Sequence, residues 1–396
     1  MKLIKLSIRK KEIILALGAE SAGVFAVFKN GNIFVSENFG DLLAENNFLK
    51  YKKAVLDYFK KEKIKPDVIL TDLHPLYRTT ILGEELAQKY QIPQMKVQHH
   101  IAHIFSAISD RILLPATHYP LPTDFTGIAM DGTGYGLDGN IWGGEVFKFK
   151  VKSLKLKVME RIGSLEEQAM IGGDLAVREP ARMQIAILAK ITNYPVKYSA
   201  RRNLTGQANL KIQKDFIYQF VKRFYSRNEF EVLYNQMEQN FNCQKTTSTG
   251  RVLDAVSVLL GFAGNERSFK HEAVKLLEAN STVPYNDLDL RFKIYDLRII
   301  LNTAHLFKYL IKNIHKDKRR LAATAQLYIA KGLYEITRLQ PTTYNLQPIF
   351  AAGGLSNNKI ISGYLEKRGV YVSKKIPRGD EGVAVGQIVY YLLNNF

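Results

Sequence analysis

Short apolar runs alternate along this chain with longer segments in which apolar residues recur every three or four positions. Glu12–Leu17 and Gly23–Phe28 are compact and β-prone, and Asn30-Gly31, a strong two-residue hairpin turn, leads into a further strand at Ile33–Val35. Between the first two strands lies Gly18-Ala-Glu-Ser-Ala-Gly23, small and polar. Helical spacing follows at Phe48–Lys61 and Leu82–Tyr90, with a strand at Asp67–Thr71 between them. Such alternation of strand and helix is the α/β signature.

The stretch VQHHIAHIFSA, Val97–Ala107, leads into a helix at about Ala102–Leu113, and a proline-rich crossing follows with Pro115, Pro120 and Pro122. The pattern then restarts: a strand at Thr126–Met130, a glycine loop at Asp131–Gly136 and a strand at Ile141–Lys150. The second half thus opens as the first does, which predicts two related lobes, residues 1–122 and 123–396. From about Glu179 to Gln340 the pattern is mainly helical, with apolar stripes at Ile212–Ser226, Phe269–Ala279 and Arg319–Leu339. A short strand at Pro348–Ala352 enters Gly353-Gly354, and a final helix at about Glu381–Leu393 follows Pro377-Arg-Gly-Asp380.

Composition narrows the class. With 396 residues, 46% of them hydrophobic and 23% charged, the chain is globular and long enough for two cores. Lys and Arg number 56 against 37 Asp and Glu, a net charge of +19, which favours anionic partners. Only short basic runs occur, Lys316–Arg320 and Ala200–Arg202, so no nucleic-acid arm is indicated. A lone cysteine, Cys243, excludes an internal disulfide and a cysteine-built zinc site. Charges interrupt the apolar residues near Met1, and no window approaches the ~20 apolar residues of a membrane helix. A cytoplasmic, membrane-free protein is expected.

Several residues could carry chemistry. His99 and His103 stand four apart at a helix start, so they share a face and suit one metal ion; two hydrogen-bonded helix histidines are the alternative. His100 points elsewhere, toward substrate or nothing. Asp131 ends an apolar strand directly before Gly132-Thr133-Gly134-Tyr135-Gly136, whose glycines would let backbone N–H groups approach a phosphate, or simply form a turn. Gly172-Gly173-Asp174 and Gly353-Gly354, with Asn357 and Asn358 beyond, allow the same two readings. Asp380 is placed either to cap the last helix or to complete a set of two imidazoles and two carboxylates, which suits Zn2+ or Fe2+ better than Mg2+.

Taken in order, the stretches LGAE (17–20), DLHPLY (72–77), VQHHIAHI (97–104), MDGTGYGLDGNIWGGE (130–145), GGDLAVREPARM (172–183), TGRVLDAVSVLLG (249–261), GGLSNN (353–358) and PRGDEGVAVGQ (377–387) resemble the C-terminal transferase portion of the HypF carbamoyltransferase family, which is homologous to the tRNA-modifying TsaD enzymes. The resemblance implies an α/β, two-lobed actin/hexokinase-like fold. It implies His99, His103, Asp131 and Asp380 as ligands of a transition metal, zinc or iron. Adenosine is expected at Gly353, Gly354 and Asn357, and phosphates at Gly18, Ser21 and Gly132–Gly136, with Gly172, Gly173 and Asp174 as a further glycine turn. Asp131 and His100 are the implied catalytic pair. ATP, AMP or carbamoyl adenylate is the implied ligand, with room for Mg2+ beside the phosphates. The acceptor would be the C-terminal cysteine of a HypE-like protein in nickel–iron hydrogenase maturation. Ser21-Ala22 stands where the family usually has a lysine, and Phe269-Lys-His-Glu272 where it has Tyr-Glu-Gly-Gln. The family's upstream cysteine-rich and YrdC-like modules have no counterpart in these 396 residues, so a separate YrdC-like protein is expected to make the adenylate. The alternatives are a TsaD-like transferase acting on tRNA and a non-catalytic nucleotide-binding regulator.

Overall fold

The computed structural model describes residues 1–6, 8, 10–113, 122–152, 155–191, 206–339 and 347–395. Pro115, Pro120 and the run Ala200–Arg202 lie outside these described residues. By packing, the chain divides into two units, and the larger comprises Met1–Ile162, Thr337–Asn357 and Leu365–Phe396.

That unit begins with β1 (Lys2–Lys5), β2 (Ile14–Ala16), β3 (Ala26–Lys29) and β4 (Asn32–Val35). Asn30 and Gly31 take the left-handed conformations, φ 51° and 81°, that a tight hairpin requires, and so set the β3–β4 register. Next come α1 (Glu45–Glu62), β5 (Val68–Asp72), α2 (Arg78–Tyr90), β6 (Gln94–Val97) and α3 (His99–Ile108), which continues as a π-turn at Ser109–Leu113. These strands form one sheet in the order β1-β4-β3-β2-β5-β6; β2, β3 and β4 are antiparallel neighbours, while β5 and β6 run parallel to β2.

The pattern then repeats. β7 (Asp124–Tyr135), β8 (Ile141–Lys152) and β9 (Lys155–Leu165) are consecutive neighbours in a second sheet, and β7 pairs antiparallel with β8. The smaller unit, Gly163–Ile336 with Asn358–Tyr364, interrupts the repeat. It contains β10 (Gln168–Ile171), α4 (Leu175–Arg178), α5 (Ala181–Ala189), α6 (Gly206–Val221), α7 (Arg227–Glu238), β11 (Cys243–Thr246), α8 (Thr249–Leu260) and α9 (Glu272–Ala279). The hairpin of β12 (Phe292–Tyr295) and β13 (Arg298–Leu301) follows, then α10 (Thr303–Lys312) and α11 (Lys318–Arg338). The mainly helical stretch thus also holds two strand pairs, β10–β11 and β12–β13.

After this insertion β14 (Ile349–Ala352) pairs parallel with β7. Beyond α12 (Lys359–Glu366), β15 (Tyr371–Val372) pairs parallel with β14, and α13 (Val383–Asn394) closes the described chain. Beyond β13 and β12, which extend it at the β9 edge, the nine-stranded second sheet therefore contains the run β9-β8-β7-β14-β15, the same third-second-first-fourth-fifth order as β4-β3-β2-β5-β6. The duplicated order is that of the actin/hexokinase-like α/β class. The lobe boundary expected near Pro122 falls between the two sheets, whereas the division by packing falls at Ile162 and Gly163, inside β9. The two criteria separate different things.

Two helices hold the larger unit together. Every residue of α3 is buried, and α13 is buried along most of its length. Ile101, Ile104, Phe105 and Ile108 share one apolar cluster with Phe125, Phe149 and Phe350 from the second sheet and with Ile14 and Phe28 from the first. Val385, Ile388, Val389 and Leu392 of α13 complete it. The two helices approach so closely that a Cβ on Gly386 would sit 1.8 Å from the Ala102 carbonyl oxygen. Only a residue without a side chain fits there.

Gly386→Ala must push backbone from backbone, and it should lower the unfolding free energy by ~3 kcal/mol or more in denaturant titrations. Gly363→Ala, on α12 with nothing within 4 Å of its Cβ position, should be neutral or gain up to ~1 kcal/mol. Equal stability of the Gly386 variant and the parent would mean that the two helices do not meet as described.

Candidate metal centre

Three segments of the larger unit bring the candidate ligands together. α3 starts abruptly because the Gln98 side chain accepts from the Ile101 N–H at 3.0 Å and caps it. His99 and His103 are therefore one turn apart on one face. β7 contributes Asp131, and a short 3-10 turn before α13 contributes Asp380; the N-cap of α13 is Gly382 and not Asp380. One ligand atom from each of the four residues lies within 4.8 Å of the others.

The spacing is that of a coordination shell. His99 Nε2 lies 3.1 Å from His103 Nε2, 3.1 Å from Asp131 Oδ2 and 3.6 Å from Asp380 Oδ1. His103 Nε2 lies 3.4 Å from Asp131 Oδ2 and 3.3 Å from Asp380 Oδ1. Ligands ~2.0–2.1 Å from a tetrahedral zinc ion stand roughly 3.3 Å from one another, the edge of the tetrahedron. Two imidazoles with two carboxylates fit a transition metal, and are nitrogen-rich for Mg2+.

Electrostatics agree. Burial alone would depress the basicity of His99, but the Asp72 charge and hydrogen bonds from Asp131, Asp380 and Asp72 overcome it and hold its pKa well above the usual histidine value. Burial likewise works against His103, whose pKa the bonds to Asp131 and Asp380 raise. Burial would raise both carboxylates, yet bonding to the two histidines holds Asp131 and Asp380 below the ordinary range. A buried and a half-buried carboxylate side by side call for a compensating cation, whether proton or metal.

Around this core the sequence signals were fainter. Asp72, at the end of β5 and fully buried, binds His99 Nδ1 at 2.7 Å through Oδ2 and accepts the His74 N–H at 2.9 Å through Oδ1. It fixes which His99 nitrogen faces the other ligands, as carboxylates behind metal-bound histidines do. His103 Nδ1 has no such partner among the described residues. Tyr77 stacks on His74, with ring centroids 4.1 Å apart, and its phenol is pushed up by burial and then by Asp72. The matching DLHPLY stretch pointed at these residues, but no local pattern gave them a role.

The glycine turns divide. The segment expected as a loop at Asp131–Gly136 is mostly strand, since β7 runs to Tyr135 with an irregularity between Met130 and Gly134. Packing requires two of its glycines: a Cβ at Gly134 would strike His100 Cε1 at 2.3 Å, and one at Gly136 would strike Trp142 Nε1 at 2.4 Å. Gly132 is buried, and Thr133 is exposed. His100 is fully buried, and burial followed by the His99 charge lowers its pKa well below normal. Gln98 Nε2 donates both to His100 Nδ1 and to the Tyr135 carbonyl at 3.0 Å, which leaves the imidazole proton on Nε2.

Elsewhere, Gly18 donates its N–H to Gln387 Oε1 at 3.0 Å, and the Ser21 hydroxyl donates to Asp380. Both groups thus serve the protein's own bonds. Gly353, with φ 94°, has no room for a side chain against the Met130 carbonyl, and the Gly354 N–H reaches Asp131 Oδ1 at 3.3 Å. Asn357 is exposed. In the smaller unit, Gly172, Gly173 and Asp174 line a cavity of about 510 Å³ with Arg178, Asn242 and Gln244. No helix among the described residues is long and apolar enough to cross a membrane.

The parent should carry roughly one equivalent of zinc or iron by elemental analysis, and the His99→Ala/His103→Ala double variant should lose it. Unchanged metal content would remove the assignment. In the metal-free protein, the raised pKa of His99 makes its protonation stabilising. That contribution is complete below the unfolded value of ~6.5 and is lost as the pH climbs through the folded value. The unfolding midpoint of chelator-treated protein should therefore fall as the pH rises above neutrality, and zinc should reverse the loss because it binds the neutral imidazole.

Two family models cover most of the chain: the HypF Kae1-like domain over residues 9–110, and the second subdomain of the carbamoyltransferase Kae1-like domain over residues 127–387. The chain is 34% identical to a probable carbamoyltransferase HypF of Methanocaldococcus jannaschii, over 99% of its own length and 48% of that protein's. A solved full-length HypF in the phosphate- and nucleotide-bound form superposes with a TM-score of 0.81 at 26% identity, over 98% of this chain and 47% of that one. The HypF of T. kodakarensis gives 0.78 at 29% identity, over 99% and 48%. The chain spans about half the length of these relatives. With a model match over most of its residues, the chain belongs to the family of HypF carbamoyltransferase Kae1-like domains.

Proposed function

We propose that the chain transfers a carbamoyl group from carbamoyl adenylate to the C-terminal cysteine of a HypE-like protein, in nickel–iron hydrogenase maturation. The observation that carries this reading is the four-ligand cluster at coordination-shell spacing in a HypF-family chain. Carbamoyl adenylate is a mixed anhydride and already activated, so the site must position it and keep water out. The acceptor's thiolate attacks the carbamoyl carbon, a carbon–sulfur bond forms, the bond from that carbon to the phosphate oxygen breaks, and AMP leaves. A metal held by His99, His103, Asp131 and Asp380 would supply a Lewis acid for phosphate or carbamoyl oxygen.

The chain's own residues prepare that site. Asp131 faces the cluster with one oxygen and the Gly354 amide with the other, so it links the ligand set to the turn proposed to hold adenosine with Gly353 and Asn357. Buried against Gly134, His100 serves the reaction by holding the strand that carries Asp131. The adenylate would come from a separate YrdC-like protein. The HypF-type motifs favour a protein thiol over tRNA, and the intact ligand set favours catalysis over a purely regulatory role.

Given carbamoyl phosphate, ATP and a YrdC-like protein, the chain should carbamoylate a cysteine-tailed acceptor, followed with labelled carbamoyl phosphate. Asp131→Ala should slow transfer at least ~100-fold while leaving the circular dichroism unchanged. Label that accumulates in tRNA and not in protein would overturn the choice of acceptor.

A further inference from the structure

Two turns beyond His103, in the π-turn that continues α3, lies Asp110, 1% exposed. Its carboxylate takes four hydrogen bonds. Oδ2 accepts the Lys374 N–H at 2.7 Å and the Tyr371 hydroxyl at 2.7 Å, and Oδ1 accepts the N–H groups of Lys375 and Ile376 at 3.0 and 3.1 Å. Three successive backbone amides are thereby fastened to the helix that carries both histidines. The segment so held runs straight on to Pro377, Arg378 and Asp380. Along the way the Arg378 carbonyl accepts the Gly353 N–H at 3.1 Å, and its guanidinium donates to the Ser356 carbonyl at 2.8 Å and the Ser373 carbonyl at 2.8 Å. Gly354, next in the chain, binds Asp131. A continuous set of bonds therefore leads from the end of α3 to both carboxylates of the cluster.

We infer that Asp110 is the positioning residue of the metal centre: it fixes the loop of Asp380 to the helix of His99 and His103, and so sets the spacing of the ligands. This rests on the metal reading above. The chemistry requires a carboxylate, because four donors converge and only an acceptor-only group can meet all of them. Asparagine would point an amide N–H2 at donors.

The test is zinc affinity by competition with a chromophoric chelator, together with the visible spectrum of the cobalt form, measured where each variant is folded. Asp110→Asn should weaken zinc binding ~10–100-fold, the loss typical of residues that orient ligands, and should alter the cobalt spectrum. Leu86→Ala, in the separate apolar cluster under α1 and α2, should lower stability and leave both readouts at parent values. A folded Asp110→Asn protein with parental affinity and spectrum overturns the inference. Should that variant fail to fold, Tyr371→Phe decides: it removes one of the four bonds, and zinc binding should weaken ~3-fold or more, whereas parental affinity sinks the proposal. A parent chain that binds neither zinc nor cobalt refutes the metal reading itself. That result is distinct from a parent that binds metal with variants that bind it equally well.

Discussion

The close crossing of α3 and α13 is the contact on which the larger unit depends. At Gly386 the two backbones touch with no side chain between them, and the aromatic cluster around Phe105 fills the space beside the crossing. One helix begins with the histidine pair, and the other begins just after Asp380. A separation larger by one methyl group would pull the candidate nitrogen and carboxylate ligands apart. Packing in the core and the geometry of the candidate ligands are therefore one constraint, set where the two helices begin.

Much of this was legible in the chain because the signals were local. Asn30-Gly31 marks its hairpin wherever it occurs, and the restart of the strand pattern at Thr126 foreshadowed the duplicated sheet order. The spacing of His99 and His103 placed them on one face before any tertiary information. What was missed was non-local or ambiguous. β1 is four residues with lysines at both ends, and β6 reads Gln-Met-Lys-Val with one buried side chain, so neither shows a hydrophobic pattern. The glycines of Asp131–Gly136 signalled a loop, but they are there because His100 and Trp142 press against a strand. Asp72 meets His99 across 27 residues and Asp110 meets Lys374 across 264, and no periodicity encodes such pairs.

The two histidines differ in how firmly they are held. His99 is gripped from behind by a buried carboxylate, while the outer nitrogen of His103 has no partner among the described residues. Both histidines turn Nε2 toward the carboxylates of the cluster, but only His99 has its far nitrogen fixed by a further carboxylate. The carboxylates show the same asymmetry. Asp131 belongs to a central strand, and Asp380 sits on a loop that depends on bonds from elsewhere.

The duplicated sheet also has a consequence for how the molecule comes into being. The second sheet stays unfinished until β14 pairs with β7, and the helical unit lies between them in sequence. Ser21 and Asp380, which touch, are 359 positions apart. Loop-closure entropy opposes such distant contacts, so on a ribosome the early strands must wait, partly uncovered, while the insertion is synthesised. Most of the smaller unit, Gly163–Ile336, is synthesised during that interval, whereas its last piece, Asn358–Tyr364, and the core around α3 wait for later residues. The first sheet therefore stays partly uncovered longest in the nascent chain, and the cluster of His99, His103, Asp131 and Asp380 is among the last features of the molecule to take shape.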